Sequence, residues 1–120
     1  MLFRSAVAAS LVPPDSDAKT AFDTLYAETF PTAAGELSAF TWSSFDTGNV
    51  LIEAIESVAF VENGTLFIPR GALVEAVRNT NTSGLTGAIV CDEVGECNAS
   101  GPTFYQVVDG VWVPLDLASE

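Results

Sequence analysis

The stretch Phe40 to Ala59 constrains this chain more than any other. Three aromatics (Phe40, Trp42, Phe45) flank a Ser43-Ser44 pair, and Val50, Leu51, Ile52, Ala54, Ile55, Val58 and Ala59 follow without a break. Two apolar sets, Leu51-Ile55-Val58 and Gly48-Ile52-Ile55-Ala59, fit helical spacing. The pattern therefore predicts a helix apolar over more than half its circumference. A hydroxyl at Ser43 or Ser44 would accept a bond from an amide of the first turn and start the helix. So apolar a helix is expected to be buried between other elements, with an extended aromatic segment, Ser38 to Trp42, leading into it.

The chain has 120 residues, enough for one modest core. Its 48% hydrophobic content places it with globular chains. No run approaches the ~18 apolar residues of a membrane span. Four Lys plus Arg stand against sixteen Asp plus Glu, a net charge of −12. Charged residues make up only 17% of the chain, below the usual ~25%, so the imbalance comes from scarce cations rather than from acidic blocks. Such a surface repels phosphate backbones and anionic lipid heads, and nucleic-acid partners and direct membrane insertion are not expected. There is no His, hence no imidazole to activate a serine or ligate a metal.

Cys91 and Cys97 bracket Asp-Glu-Val-Gly-Glu. Five intervening residues with a Gly suit a disulfide closing a tight loop, whereas a zinc site needs more ligands than the chain has. The disulfide implies an oxidising compartment.

At the start, Arg4 interrupts an apolar run too short for a signal peptide. Leu2-Phe3-Arg4-Ser5 matches the translation of a common sequencing-adapter end, and residues 1–5 are read as a non-native start. Ala6 to Val12 reads as the tail of a strand. Pro13-Pro14-Asp15 then opens a helix with Asp15 as N-cap and Ala18, Ala21, Phe22, Leu25, Tyr26 and Phe30 on one face, ended by Pro31. A loop surrounds Gly35. The central helix runs to about Phe60, Asn63-Gly64 is a turn, and Thr65 to Ile68 is extended. Pro69 opens a further helix at a favoured N1-like position, with Leu73, Val74, Ala76 and Val77 as its apolar face, followed by a polar exit over Asn79 to Gly84. Leu85 to Cys91 and Thr103 to Val108 are β-rich, and Asp109-Gly110 is a hairpin signal joining the latter to Val111-Trp112-Val113.

The motifs that could carry chemistry have plainer readings. Asp92, Glu93 and Glu96 lack the spacing of a calcium loop. Gly84-Leu85-Thr86-Gly87 is too short for a phosphate loop and has no Lys, so it reads as the loop leading into a strand. Asn63, Asn81 and Asn98 each begin a glycosylation sequon, a frequent chance match in a chain rich in Thr, Ser and Asn. No nucleophile–base pair, metal set or cofactor motif stands out, and the expectation is a protein that is not an enzyme and needs no cofactor or metal.

Taken in order, four stretches resemble the C-terminal portion of the solute-binding proteins of branched-chain amino-acid ABC transporters, the leucine/isoleucine/valine-binding type. Ala39 to Asp46 (Ala-Phe-Thr-Trp-Ser-Ser-Phe-Asp) is similar to the aromatic segment leading into that family's Tyr-Asp-Ala helix, with Phe45 for the Tyr and Thr47 for the Ala. Leu51 to Glu56 is similar to that helix's continuation, and Ile68 to Leu73 to the next helix start. Gly84 to Gly87, Cys91 to Cys97 and Phe104 to Val107 resemble the closing run, with Glu96 replacing an Asp. The resemblance covers residues 6 to 114.

The resemblance implies an α/β chain, the C-terminal part of a two-lobed type I periplasmic binding protein with three-layer lobes, ending in β-hairpins. Residues 6–38 would be the end of the second lobe, and 39–114 a crossing strand with the C-terminal elements of the first. It implies an extracytoplasmic protein that closes on an aliphatic amino acid by hinge motion and delivers it to ABC permease subunits. Carried over by position, Phe40 becomes an apolar wall of the ligand cleft, with Trp42 and Phe45 beside it. The family's polar groups for the ligand's carboxylate and amine would lie upstream. Two other readings are an amino-acid or amide sensor on the same fold, against which the Cys pair argues, and a self-contained small α/β interaction domain.

Overall fold

A computed structural model describes residues 6–32, 37–98 and 102–115. The start read at residues 1–5 and the loop read around Gly35 lie outside the described residues. The protein is mixed α/β, with three helices and three short sheets among the described residues. It divides into two compact units, Met1–Phe40 with Gly101–Glu120, and Thr41–Ser100.

The first unit holds a three-stranded antiparallel sheet in the order β1-β7-β8, formed by β1 (Val7–Ser10), β7 (Thr103–Val108) and β8 (Val111–Pro114). Val7 faces Gln106, and Val108 faces Val111 across the two-residue turn. That turn is the expected Asp109-Gly110, with φ of 51° and 81°, the left-handed pair a two-residue hairpin of this hand requires. Helix α1 (Asp17–Thr29) belongs to the same unit. Its N-cap is Ser16 rather than the expected Asp15. The Ser16 hydroxyl accepts from the Lys19 amide at 3.1 Å, while Asp15 is drawn to the Lys19 ammonium at 3.6 Å. Lys19 also binds Asp23 at 2.9 Å, and that hydrogen bond raises its pKa above the ordinary 10.5. Phe22, Tyr26 and Phe30 form a ring ladder with centroids 5.7 and 5.1 Å apart, yet no residue of α1 is buried.

The second unit is built on α2 (Thr41–Val58). Three expectations about this region are corrected. The segment Ser38 to Trp42 is not a crossing strand, since residues 39 and 40 form a turn and Thr41 and Trp42 are already helical. Ser43 and Ser44 are therefore inside the helix and not at its cap, and the Ser43 carbonyl accepts from the Thr47 hydroxyl at 2.8 Å. Nor is the helix buried all round. Its covered stripe is Trp42, Asp46 and Ala54, spaced by multiples of four, whereas Leu51 and Ile52 are about half exposed.

Beyond α2, β2 (Phe60–Glu62) and β3 (Thr65–Phe67) form a hairpin over Asn63-Gly64, so the central helix stops at Val58 rather than running to Phe60. Helix α3 (Arg70–Arg78) follows with Pro69 as its N-cap residue, one position before the expected N1, and packs against α2. The expected polar exit of α3 contains a strand, β4 (Asn81–Gly84). With β5 (Gly87–Cys91) and β6 (Cys97–Asn98) it makes an antiparallel sheet ordered β4-β5-β6. The buried apolar side chains of this unit are Trp42, Ala54 and Ile89, and the first unit buries Pro13.

Candidate functional site

Among the described residues the buried charged side chain is the carboxylate of Asp46. It lies one helical turn beyond Trp42 and is only 4% exposed. Its Oδ1 accepts from the Leu85 amide at 2.8 Å, and its Oδ2 accepts from the Thr86 amide at 2.8 Å and the Thr86 hydroxyl at 2.7 Å. Burying a carboxylate costs several kcal/mol unless its lone pairs are satisfied, and these donors satisfy both oxygens. Gly84 completes the arrangement, because a methyl group there would collide with the Asp46 carboxyl group. Gly84 and Gly87 pair as the last rungs of β4 and β5, making Leu85-Thr86 a two-residue hairpin turn.

Neither Leu85 nor Thr86 has a positive φ; the left-handed conformation falls on Gly87, at 111°. Leu-Thr carries none of the residues that favour tight turns. The amides such a turn leaves unpaired are taken up by the helix carboxylate instead. Sequence reasoning passed over Asp46 as a functional residue. The available signal was an acidic residue one turn after a tryptophan and in line with Val50 and Ala54 on the same helix face.

A cavity of about 360 Å³ opens beside this junction, between α2, α3 and the β4-β5-β6 sheet. Asp46 and Thr86 line it together with the aliphatic side chains of Val50, Leu51, Val77 and Ile89, and Ser43, Thr47, Cys97 and Asn98 complete the lining. The candidate ligand-wall residues are not among these. Trp42 is 4% exposed and belongs to the core, Phe45 is 45% exposed on α2, and Phe40 is 62% exposed in the turn before the helix. Phe40 falls in the first compact unit and Trp42 and Phe45 in the second.

Cys91 and Cys97 form the expected disulfide, joining facing residues of β5 and β6. The acidic loop between them is organised from within. Asp92 Oδ1 accepts from the amides of Val94 and Glu96 at 3.0 and 2.9 Å, and the Asp92 amide donates to the Glu96 carbonyl at 2.8 Å. Among the sequons, Asn63 is in an exposed turn, Asn81 is in β4, and the Asn98 side-chain oxygen accepts from the Val90 amide at 2.6 Å. Among the described residues no helix is long and apolar enough to cross a membrane.

No protein-family model matches the sequence, and no curated protein or solved structure matches it significantly.

Proposed function

We propose that the chain is the C-terminal portion of an extracytoplasmic solute-binding protein of the type I periplasmic fold, one that captures branched-chain or related aliphatic amino acids and hands them to an ABC permease. The observation that carries this reading is the junction at Asp46. Of the four stretches that resemble the leucine/isoleucine/valine-binding family, the aromatic-Asp segment and the Gly84 to Gly87 segment lie about 40 residues apart in sequence and are hydrogen-bonded to each other. Their meeting in the fold supports reading the two stretches together. The disulfide supports an oxidising, extracytoplasmic setting. The chain acts by binding, not by catalysis.

Phe40 is the residue of this segment assigned to the ligand. Its exposed ring offers an apolar wall to an aliphatic side chain, where each buried methylene contributes about 0.8 kcal/mol. In the natural gene product carrying this segment, calorimetric titration with leucine measures the capture directly, and Phe40→Ala is expected to weaken it by roughly tenfold, equivalent to about 1.4 kcal/mol. Absence of binding by leucine, isoleucine and valine to the unsubstituted protein overturns the function. Binding that Phe40→Ala leaves unchanged removes only that residue from the site.

A second reading, a self-contained interaction domain, is favoured by one observation. The β2–β3 hairpin exposes Phe60, Val61, Leu66 and Phe67, an apolar patch of the kind that marks protein contacts.

A further inference from the structure

The donors of the Leu85-Thr86 turn are arranged as a receptor for an anion. Two successive backbone amides and a hydroxyl converge on a pair of oxygens, all within 2.7–2.8 Å. Concave sets of successive amides of this kind bind carboxylates and phosphates. Here the bound anion is a side chain of the chain itself. Two features of the surroundings define what the receptor would hold without it. Among the described residues Asp46 is the sole charged group lining the adjoining cavity, so no second charge there selects for a zwitterion or a polyanion. Its hydrocarbon lining is the aliphatic set Val50, Leu51, Val77 and Ile89, beside the neutral polar groups of Ser43, Thr47 and Asn98. A carboxylate followed by a short branched hydrocarbon matches both.

We propose that the Leu85-Thr86 turn is a carboxylate-binding site whose resident occupant is Asp46, and that truncation of Asp46 converts the turn and the adjoining cavity into a site for an exogenous aliphatic carboxylate. The proposal draws on the same Asp46 junction as the transport reading but does not depend on it, since it concerns how this turn binds a carboxylate and not which solute the protein carries. It gives Asp46 a definite part: it holds the hairpin to α2 as a ligand would.

The test is chemical rescue of the full chain. In Asp46→Ala, acetate is expected to raise the thermal midpoint by roughly 5 °C over chloride of equal ionic strength at about tenfold excess over Kd. Isovalerate should act at about tenfold lower concentration, because its hydrocarbon enters the cavity. The unsubstituted chain, whose receptor is filled, should respond equally to acetate and chloride. Adding Thr86→Val, which removes the hydroxyl donor, should weaken the rescue.

Equal responses of Asp46→Ala to carboxylates and chloride overturn the proposal, as does a rescue indifferent to Thr86→Val. Where Asp46→Ala is unfolded in chloride, recovery of helical circular dichroism with isovalerate supports it. If neither carboxylate restores structure, amide exchange in the unsubstituted chain decides. Protection of the Thr86 amide at least about tenfold above the Gly64 and Gly110 amides, at the same turn position, upholds a filled receptor, and equal exchange overturns it.

Discussion

Two hairpins in the second unit solve the same problem by opposite means. The β2–β3 turn uses Asn63 and Gly64, with φ of 51° and 76°, so the turn residues themselves meet the backbone requirement. The β4–β5 turn uses Leu85 and Thr86, which have no such aptitude, and borrows the Asp46 carboxylate from α2 to bind its amides. The first hairpin is locally specified, and all six of its strand residues are exposed. The second is specified at long range, and Ile89 of its β5 strand is buried. Turn chemistry alone makes a hairpin, whereas a turn held by a distant group joins that hairpin to the rest of its unit.

The largest expected effect follows from breaking the long-range turn. Asp46→Ala leaves the donors of Leu85 and Thr86 unpaired, and is expected to lower stability by about 3–5 kcal/mol, read as the shift of the urea midpoint. Gly84→Ala comes next, at about 1–3 kcal/mol, because its methyl group displaces the carboxylate. The pair sharpens the comparison when combined. In the Asp46→Ala background the methyl group meets no carboxylate, so Gly84→Ala should cost under about 0.5 kcal/mol, a non-additivity that denotes direct contact. The smallest effect belongs to the local turn. Gly64→Ala places a side chain at positive φ and should cost about 1 kcal/mol, with the loss confined to β2 and β3 in amide exchange. A loss at Gly64 equal to that at Asp46 would remove the distinction between the two hairpins.

The same distinction explains what could be read from sequence. Asp109-Gly110 and Asn63-Gly64 announce themselves because their determinants are the turn residues. The helical patterns of α1, α2 and α3 are likewise local, as is the spacing of Cys91 and Cys97. The β4–β5 hairpin was legible only as β-rich residues after Leu85, since its determinant lies about 40 residues upstream and β4 (Asn-Thr-Ser-Gly) has no apolar alternation. The aromatic lead-in, Ser38 to Trp42, was expected to be extended, and a crossing strand by resemblance. Intrinsic preferences of a few tenths of a kcal/mol yield to packing here, because Trp42 continues the covered stripe of Asp46 and Ala54 one turn further. Of the candidate site, Phe40, Trp42 and Phe45 were drawn from resemblance. The Asp46 receptor required knowing which turn the helix would meet.

The β2–β3 hairpin also bears on how the protein behaves in solution. Its cross-strand pairs put Phe60 against Phe67, with rings stacked at 5.5 Å, and Val61 against Leu66 on the opposite face. Both sides of the ribbon are therefore adhesive, with Glu62 its only charge. Opposing that adhesion is the mutual repulsion of molecules bearing a net −12, whose reach salt cuts to about 8 Å at physiological ionic strength. Self-association through this ribbon is therefore expected to grow as salt is added, which light scattering at low and high ionic strength would check.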